Sequence, residues 1–163
     1  MRVIKQSSCA VMTIKGREHR KGCENIVLPL DLTKETTQKV EQAVDFAKMF
    51  NSTIQAVSIL NTNDQEIVDR LTEQMAIVVD EITKSGVACS AAIVKTVKGE
   101  DSLPTAIIGF AEKVKADVIM IMTQQESNPT EFFIGSRAQT IINRSNIPVL
   151  SLLPRISKPL NIL

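Results

Sequence analysis

The chain has 163 residues, and 44% of them are hydrophobic, which is enough for one domain with a buried core and a short extension. Nineteen Lys and Arg residues nearly balance eighteen Asp and Glu residues, so the charge indicates neither nucleic acid nor an anionic membrane as a partner. No run approaches the length of a membrane span, and three cysteines form no disulfide framework, so we expect a cytoplasmic protein.

From residue 25 onward, short apolar runs alternate with longer segments of helical period, which is typical of a parallel sheet covered on both faces. Residues 25–31 predict the first strand. Thr33 then takes the N-cap position of a first helix. The apolar residues of this helix recur at helical spacing and predict a buried stripe of Val40, Ala43, Val44, Ala47 and Phe50.

Residues 53–60 predict a second strand, followed by a second helix. Asn63 and Glu66 have the spacing of a capping box, and Gly86 stands where such a helix ends. The predicted buried face of this helix consists of Ile67, Leu71, Met75, Val78 and Ile82.

The remaining elements complete an α/β pattern. Ser102 and Pro104 mark the start of a third helix, and a last helix begins near Ser136. The inward positions of the third helix are Ile107, Phe110, Ala111 and Val114, and the last three strands are predicted at 89–97, 116–122 and 146–154. We therefore predict a doubly wound, five-stranded parallel sheet of order 3-2-1-4-5 with helices on both faces. Ligands of such sheets bind where the strand order reverses, outside the carboxyl ends of the first and fourth strands.

An internal repeat relates residues 3–14 to residues 141–152 without a gap. Three identities in twelve positions also fit chance or common strand composition. Interpreted as a repeat, the segment is the closing helix turn and last strand of a preceding domain. The identities are Ile4/Ile142, Ser7/Ser145 and Val11/Val149.

The repeat predicts the domain organisation. Residues 1–14 are then the terminal strand of a preceding tandem domain, 15–24 a linker, 25–154 one complete domain and 155–163 a tail. Because the fifth strand is a sheet edge with unpaired backbone groups, we predict that residues 8–14 form a sixth strand antiparallel to residues 147–153. The pairing can form within one chain or between two chains of a domain-swapped homodimer, and the sequence does not decide between them.

Four motifs, "LPLDLTKET", "KADVIMIM", "IGSRAQTIINRS" and "IPVLSL", resemble the universal stress protein family in order and spacing. In that family the first strand ends in a Pro-x-Asp turn, and a Gly-x2-Gly-x9-Gly-Ser/Thr loop connects the fourth strand to the last helix. The resemblance covers residues 25–154, and residues 3–14 look like the end of a second copy. It implies pairing through the last strand, in a homodimer or between tandem domains.

The resemblance also implies a nucleotide site. In members that bind ATP, the matching positions would place Pro29, Asp31 and Ile59 around an adenosine, and Gly135 with Ser136 at a phosphate. Here the first two loop glycines are replaced, by Met122 and Gln125. Side chains at these positions block the close backbone approach that glycine permits.

The charges near this loop also disfavour a triphosphate. Residues 116–136 contain no Lys or Arg, while Glu126 and Glu131 add negative charge. The helix that begins at Gly135-Ser136, with Arg137 beside it, still favours a single anion. In the alternative, Gly135 only makes the turn and Ser136 caps the helix. Asp31 likewise has an alternative role, as an N-terminal charge partner of the first helix.

We therefore expect a binding or signalling module without strong ATP binding and with no resident cofactor. The alternative is a stress-response switch that binds ATP, AMP or another adenine nucleotide through Asp31 and the Gly135-Ser136 helix end. An enzyme, such as a slow phosphohydrolase using Asp31, is disfavoured because no triad, Gly-x4-Gly-Lys-Ser/Thr loop or G-x-G-x-x-G turn occurs. His19, Cys9, Cys23 and Glu24 match no zinc spacing, so we predict no metal site. The sequence identifies no protein partner.

Overall fold

The computed structural model describes residues 2–16, 22–31, 36–96, 103–122, 124–125, 132–133 and 135–154. Its helices are α1 (Arg2–Gln6), α2 (Thr36–Phe50), α3 (Gln65–Lys84), α4 (Leu103–Lys113) and α5 (Ser136–Arg144). Its strands are β1 (Val11–Thr13), β2 (Asn25–Pro29), β3 (Thr53–Leu60), β4 (Cys89–Lys95), β5 (Val118–Met122), β6 (Gln124–Gln125), β7 (Phe132–Phe133) and β8 (Val149–Leu152). In this part of the chain, no helix is both long and apolar enough to cross a membrane.

The main sheet has six strands in the order β1-β8-β5-β2-β3-β4. The five strands from β8 to β4 are parallel, which confirms the predicted order, and β1 is antiparallel to β8. The strand order reverses between β2 and β5, because the chain moves from β2 outward to β4 and then returns to the other side. The carboxyl ends of β2 and β5 therefore border the predicted ligand position.

The sheet separates two apolar cores, because successive residues of a strand point to opposite faces. Ile26 and Leu28 of β2 pack in the core under α2 and α3. Val27, between them, packs in the core that includes residues of α1, α4 and α5. All three side chains are buried, as expected for a central parallel strand.

Asp117 joins the amino ends of β2 and β5. Its Oδ2 accepts hydrogen bonds from the backbone N–H groups of Glu24 and Asn25, at 2.8 and 2.9 Å. Its own backbone N–H donates to the carbonyl of Asn25 at 2.9 Å. These bonds fix the relative position of the two strands whose carboxyl ends border the predicted site.

The structure corrects two predictions about helix ends. Phe50, the last residue of α2, is 53% exposed and does not continue the buried stripe; its ring is tilted against that of Phe46, with the ring centroids 4.7 Å apart. Asp64 rather than Asn63 is the N-cap of α3, because its Oδ1 accepts from the N–H of Glu66. The remaining residues of the α2 stripe are buried, as predicted.

Of the other helix predictions, one about a helix end is confirmed, one about a buried residue is wrong, and two lie outside the described residues. Gly86 follows the cap of α3 with a φ of +87°, a conformation that favours glycine. The prediction that Ile67 is buried is wrong, because this residue at the start of α3 is exposed, whereas Met75, Val78 and Ile82 are buried as predicted. The predicted start residues Thr33 and Ser102 lie outside the described residues.

The predicted sixth strand is present within one chain. Val11, Met12 and Thr13 of β1 pair antiparallel with Ser151, Leu150 and Val149 of β8, respectively. The paired segments are shorter than the predicted 8–14 and 147–153 but lie inside both ranges. In the repeat, residue 12 corresponds to residue 150, so the register pairs this position with its own copy. The two strands are thus related by an approximate two-fold axis.

We expect that deletion of residues 1–14 turns the protein toward dimers or aggregates. Removal of β1 leaves the backbone groups on one side of β8 without a partner, and such an edge pairs readily with another chain. Sedimentation velocity and thermal unfolding of the truncated chain test this expectation, with deletion of residues 155–163 as the control for chain length. A truncated chain with the size and melting temperature of the full chain would show that β1 does not protect this edge.

Candidate functional site

Three candidate residues lie at the carboxyl end of the β2–β3 pair. Pro29 pairs with Val57, and the N–H of Leu30 donates to the carbonyl of Val57 at 2.8 Å. Asp31 and Ile59 each follow this pair by two residues, so they lie at the same end of the sheet. Asp31 is exposed, whereas Ile59 is half-buried against the core under α4 and α5. The exposed side chain of Asp31 thus supplies a polar group, and the side chain of Ile59 supplies an apolar surface, at the same end of the sheet.

The two remaining candidate residues begin α5, which follows β5 and therefore starts at the carboxyl end of the sheet. Gly135 is the N-cap and makes no side-chain capping bond. Ser136 is the first, exposed residue of the helix, so the alternative that Ser136 caps it is wrong. Gly135 has a φ of −54°, which any residue can adopt, so the backbone conformation does not require glycine. What distinguishes glycine at this position is the absence of a side chain over the amino end of α5.

The amino end of α5 suits an anion. The N–H groups in the first turn of an α-helix have no partner within the helix, and Gly135 has no side chain to accept from them. The first turn contains no acidic residue, and Arg137 stands in it with an exposed side chain. A negatively charged group at this helix end would gain about 0.3–1 kcal/mol from the helix dipole.

Met122, at the first phosphate-loop position, is part of the hydrophobic core. It is the last residue of β5, pairs with Leu152, and packs in the cluster under α2 and α3. Its side chain is 8% exposed. The methionine therefore contributes to the packing of the domain, which is a different role from the close backbone approach that a glycine would allow here.

Gln125, at the second phosphate-loop position, belongs to a small hairpin. Strands β6 and β7 are antiparallel, with Gln124 opposite Phe133 and Gln125 opposite Phe132. The backbone of Gln125 is therefore part of a strand pair, rather than of an open glycine loop. Helix α1 lies beside β7, so the segment that covers the β8 edge also borders this hairpin. Glu126 and Glu131 lie outside the described residues.

Lys39 places a positive charge at this end of the sheet, and the sequence analysis missed it. The residue lies near the start of α2, is half-buried, and its Nζ donates to the carbonyl of Pro29 at 3.2 Å. A count of charges along residues 116–136 omits Lys39 because it belongs to the helix after β2. Lys39 lies about one turn into a helix that begins just after the first strand, and this position in the sequence is the signal that would have identified the residue.

Thr36 adds a polar atom near the start of α2. Its Oγ1 is buried and has no hydrogen-bond partner within the described part of the chain. Most buried hydroxyl groups in proteins have a partner, since an unpaired one costs free energy. Because α2 follows β2, this hydroxyl lies toward the same end of the sheet as Pro29 and Asp31.

The three cysteines are free thiols, and none belongs to a metal-binding cluster among the described residues. Within the described ranges, no three or more His, Cys, Asp or Glu side chains are arranged to hold a metal ion, and His19 lies outside these ranges. Cys9 is exposed. Burial raises the pKa of Cys89 to about 11, partly opposed by a hydrogen bond to the backbone of Ala56. Burial also raises the pKa of Cys23.

A comparison with protein families matches residues 22–152 to the universal stress protein family. The chain belongs to this family. The match starts just before β2 and ends with the last residue of β8, so it covers the complete parallel sheet of this universal stress protein domain. A comparison with curated proteins finds no match.

Solved structures of universal stress proteins share the fold. One from Archaeoglobus fulgidus, described as a complex with dAMP, is 24% identical with a TM-score of 0.64, covering 79% of this chain and 97% of its own. Another, in complex with cAMP, is 16% identical with a TM-score of 0.65, and the match covers 83% of this chain and 100% of its own. A longer universal stress protein chain from Archaeoglobus fulgidus DSM 4304 is 16% identical with a TM-score of 0.72, covering 96% of this chain but 54% of its own.

We expect Met122→Ala to lower the free energy of unfolding by about 2–5 kcal/mol, because it removes a buried side chain and leaves a cavity. Met49→Ala is the matched control, since Met49 is 71% exposed, and its expected change is within about 0.5 kcal/mol. Urea unfolding measures both. Equal midpoints for the two variants would show that Met122 is not a core residue. A loss of stability is likewise expected for Met122→Gly, so a nucleotide titration of that variant needs a check that it is folded.

We expect iodoacetamide to modify Cys9 much faster than Cys89 in the folded protein at pH 8. With a pKa of about 11, Cys89 is about 0.1% thiolate at that pH, and only the thiolate reacts rapidly. Between about pH 9 and 11 the Cys89 thiol ionises in the unfolded chain but stays protonated in the folded chain. The contribution of Cys89 to the free energy of unfolding therefore falls as the pH rises through this range. Peptide mass spectrometry measures the rates at which iodoacetamide modifies Cys9 and Cys89, with the urea-unfolded chain as the control. Equal rates at Cys9 and Cys89 in the folded chain would contradict the burial of Cys89.

Proposed function

We propose that this chain is a universal stress protein module that does not bind ATP strongly and acts through other partners. The proposal rests on one observation, that both phosphate-loop positions have structural contacts. Met122 packs in the core, and Gln125 is paired with Phe132. Both replacements remove places where a backbone could approach a phosphate closely. The proposal therefore rests on the local structure as well as on the missing glycines.

The charges near the site support the same proposal. A triphosphate brings several negative charges, and residues 116–136 supply no Lys or Arg to offset them. Two of the described cations at this end of the sheet, Lys39 and Arg137, come from α2 and α5. Lys39 already donates to the carbonyl of Pro29. One helix end with two cations matches one phosphate group better than it matches three.

A second candidate function is a switch that binds an adenine nucleoside monophosphate. The uncapped amino end of α5 and the positive charge of Lys39 favour a ligand with a single phosphate. Asp31 and Ile59 offer a polar group and an apolar surface for the nucleoside. The similar structures described with dAMP and cAMP are consistent with this ligand size. Physiological control by AMP or a related compound would then act at this end of the sheet.

Parallel calorimetric titrations with Mg-ATP and with AMP test the two functions. We expect ATP to bind with a dissociation constant weaker than about 0.1 mM, which corresponds to about −5.5 kcal/mol. A low-micromolar constant for ATP, about −8 kcal/mol, would contradict the proposed module. AMP binding at least about tenfold tighter than ATP binding would support the second candidate.

Lys39→Ala and Lys48→Ala then locate any AMP site. Lys39 lies near the start of α2, whereas Lys48 is an exposed residue of its last turn. If AMP binds at the candidate site, we expect Lys39→Ala to weaken binding by about threefold or more through loss of a nearby cation, and Lys48→Ala to leave it unchanged. Equal effects of both variants would assign the binding to general charge rather than to this site.

A further inference from the structure

Among the described residues, one face of the sheet is not fully covered near β1. Leu150 of β8 packs in the core under α2 and α3, and Met12 lies opposite it in the β1–β8 pair, so both side chains point to this face. Leu150 is 7% exposed, whereas Met12 is 42% exposed and Ile14, two residues further along the chain, is 56% exposed. Exposed apolar side chains of β1 and of the residue after it therefore lie beside the part of the sheet that α2 covers.

Helix α2 adds apolar side chains on its side toward β8. The Nε2 of Gln42 donates to the carbonyl of Leu153, just after β8, at 3.0 Å, so Gln42 marks the side of α2 that faces β8. Phe46, Met49 and Phe50 follow Gln42 at helical spacing and therefore lie on the same side of α2. Met49 and Phe50 are exposed, and Phe46 is half-buried. The apolar side chains of α2 and of the β1 region together form what we call the α2–β1 surface: Met12, Ile14, Phe46, Met49 and Phe50.

The chain leaves β8 next to this surface. Leu153 and Pro154 are half-buried, so the backbone stays against the domain after the last strand, and the bond from Gln42 places it at α2. The amino end of β8, at Val149, lies about 13 Å back along the strand at about 3.3 Å per residue. The nine residues 155–163 span about 30 Å when extended. They are therefore long enough to run back beside α2 over the whole α2–β1 surface.

Residues 155–163 lie outside the described residues, and their sequence has the pattern of an extended apolar segment. Ile156, Leu160 and Ile162 are separated by even numbers of residues, so they face one side of an extended chain. Pro159 suits an extended backbone and interrupts a helix. The segment contains no acidic residue. Its sequence thus offers one apolar side, which matches the chemistry of the α2–β1 surface.

We propose that the α2–β1 surface is a docking surface for residues 155–163 of the same chain. The segment would turn back after Pro154 and run beside α2 toward the amino end of the sheet, with Ile156, Leu160 and Ile162 against the surface. Removal of apolar area from water would stabilise this contact. Its loss would expose side chains but leave the backbone pairing of β1 with β8 intact, so the contact is separate from the protection of the sheet edge.

Methionine oxidation by hydrogen peroxide tests the proposal in the intact chain. Met12 and Met49 belong to the α2–β1 surface, whereas Met75 is 2% exposed in the core and reports whether the fold is intact. Three charged side chains on the apolar side of the segment should release it, because a charge resists burial. Met12 and Met49 should then oxidise at least about threefold faster than in the original chain, with Met75 slow in both proteins. The variant carries Ile156→Asp, Leu160→Asp and Ile162→Asp.

A matched control adds charge to the other side of the segment. Ser157 and Asn161 are separated from the apolar positions by odd numbers of residues, so they face away from the surface in an extended chain. Ser157→Asp with Asn161→Asp should therefore leave the oxidation rates of Met12 and Met49 unchanged. Faster oxidation in this control, to the same extent as in the triple variant, would contradict the proposed orientation of the segment.

Trypsin cleavage after Arg155 tests the contact from the side of the surface. Met12→Asp with Ile14→Asp should make this cleavage at least about threefold faster, because the segment loses its apolar partner and opens more often. Ile67→Asp with Ile77→Asp, at exposed positions of α3, is the matched control and should leave the cleavage rate unchanged. Equal acceleration by both double variants would overturn the proposal.

Two oxidation results would contradict the proposed occupant. Equal rates for Met12 and Met49 in the original chain and in the triple variant would show that residues 155–163 do not cover the surface. Slow oxidation that becomes fast on dilution, with or without the triple change, would show that a second copy of the chain is the occupant instead.

Discussion

The antiparallel pairing of β1 with β8 is the interaction on which the rest of the structure depends. β8 is buried on both faces and lies next to the central strands, yet the parallel fold alone would leave it as a sheet edge. An apolar edge with free backbone groups promotes pairing with other chains. β1 provides hydrogen-bond partners for the backbone groups on one side of β8. Helix α1, which precedes β1, lies beside β7. One segment of the chain therefore stabilises both the sheet edge and the β6–β7 pair near the candidate site.

At the candidate site the parallel strand order is intact, although Met122 and Gln125 replace the first two glycines of the family's phosphate-loop pattern. Asp117 joins β2 and β5 at their amino ends, and this restraint does not involve the loop. Met122 can therefore become a core residue without a change in topology. We propose that Asp31, Lys39 and the amino end of α5 together suit a small anion better than a chain of phosphates.

Periodicity predicted the parts of the fold that depend on burial. The parallel strand order and the buried residues of α2 followed from alternating apolar runs, and the added edge strand followed from the repeat. Features that depend on a single hydrogen bond or on the end of an element were harder to predict. Asp64 rather than Asn63 caps α3, and Phe50 is exposed because α2 ends there. The pairing of β6 with β7 and the bond from Lys39 to Pro29 each depend on a contact between particular residues, which the periodicity of apolar residues does not predict.

Amide hydrogen exchange in the intact chain tests the central interaction most directly. If β1 is an integral strand of the sheet, the hydrogen-bonded amides of residues 11–13 and of residues 149–151 should open together, with protection factors that agree within about tenfold. Protection of both segments should also fall in parallel as urea is added. Exchange of residues 11–13 at the rate of an unstructured peptide, with residues 149–151 still protected, would contradict the account by showing that the fold does not need its edge strand.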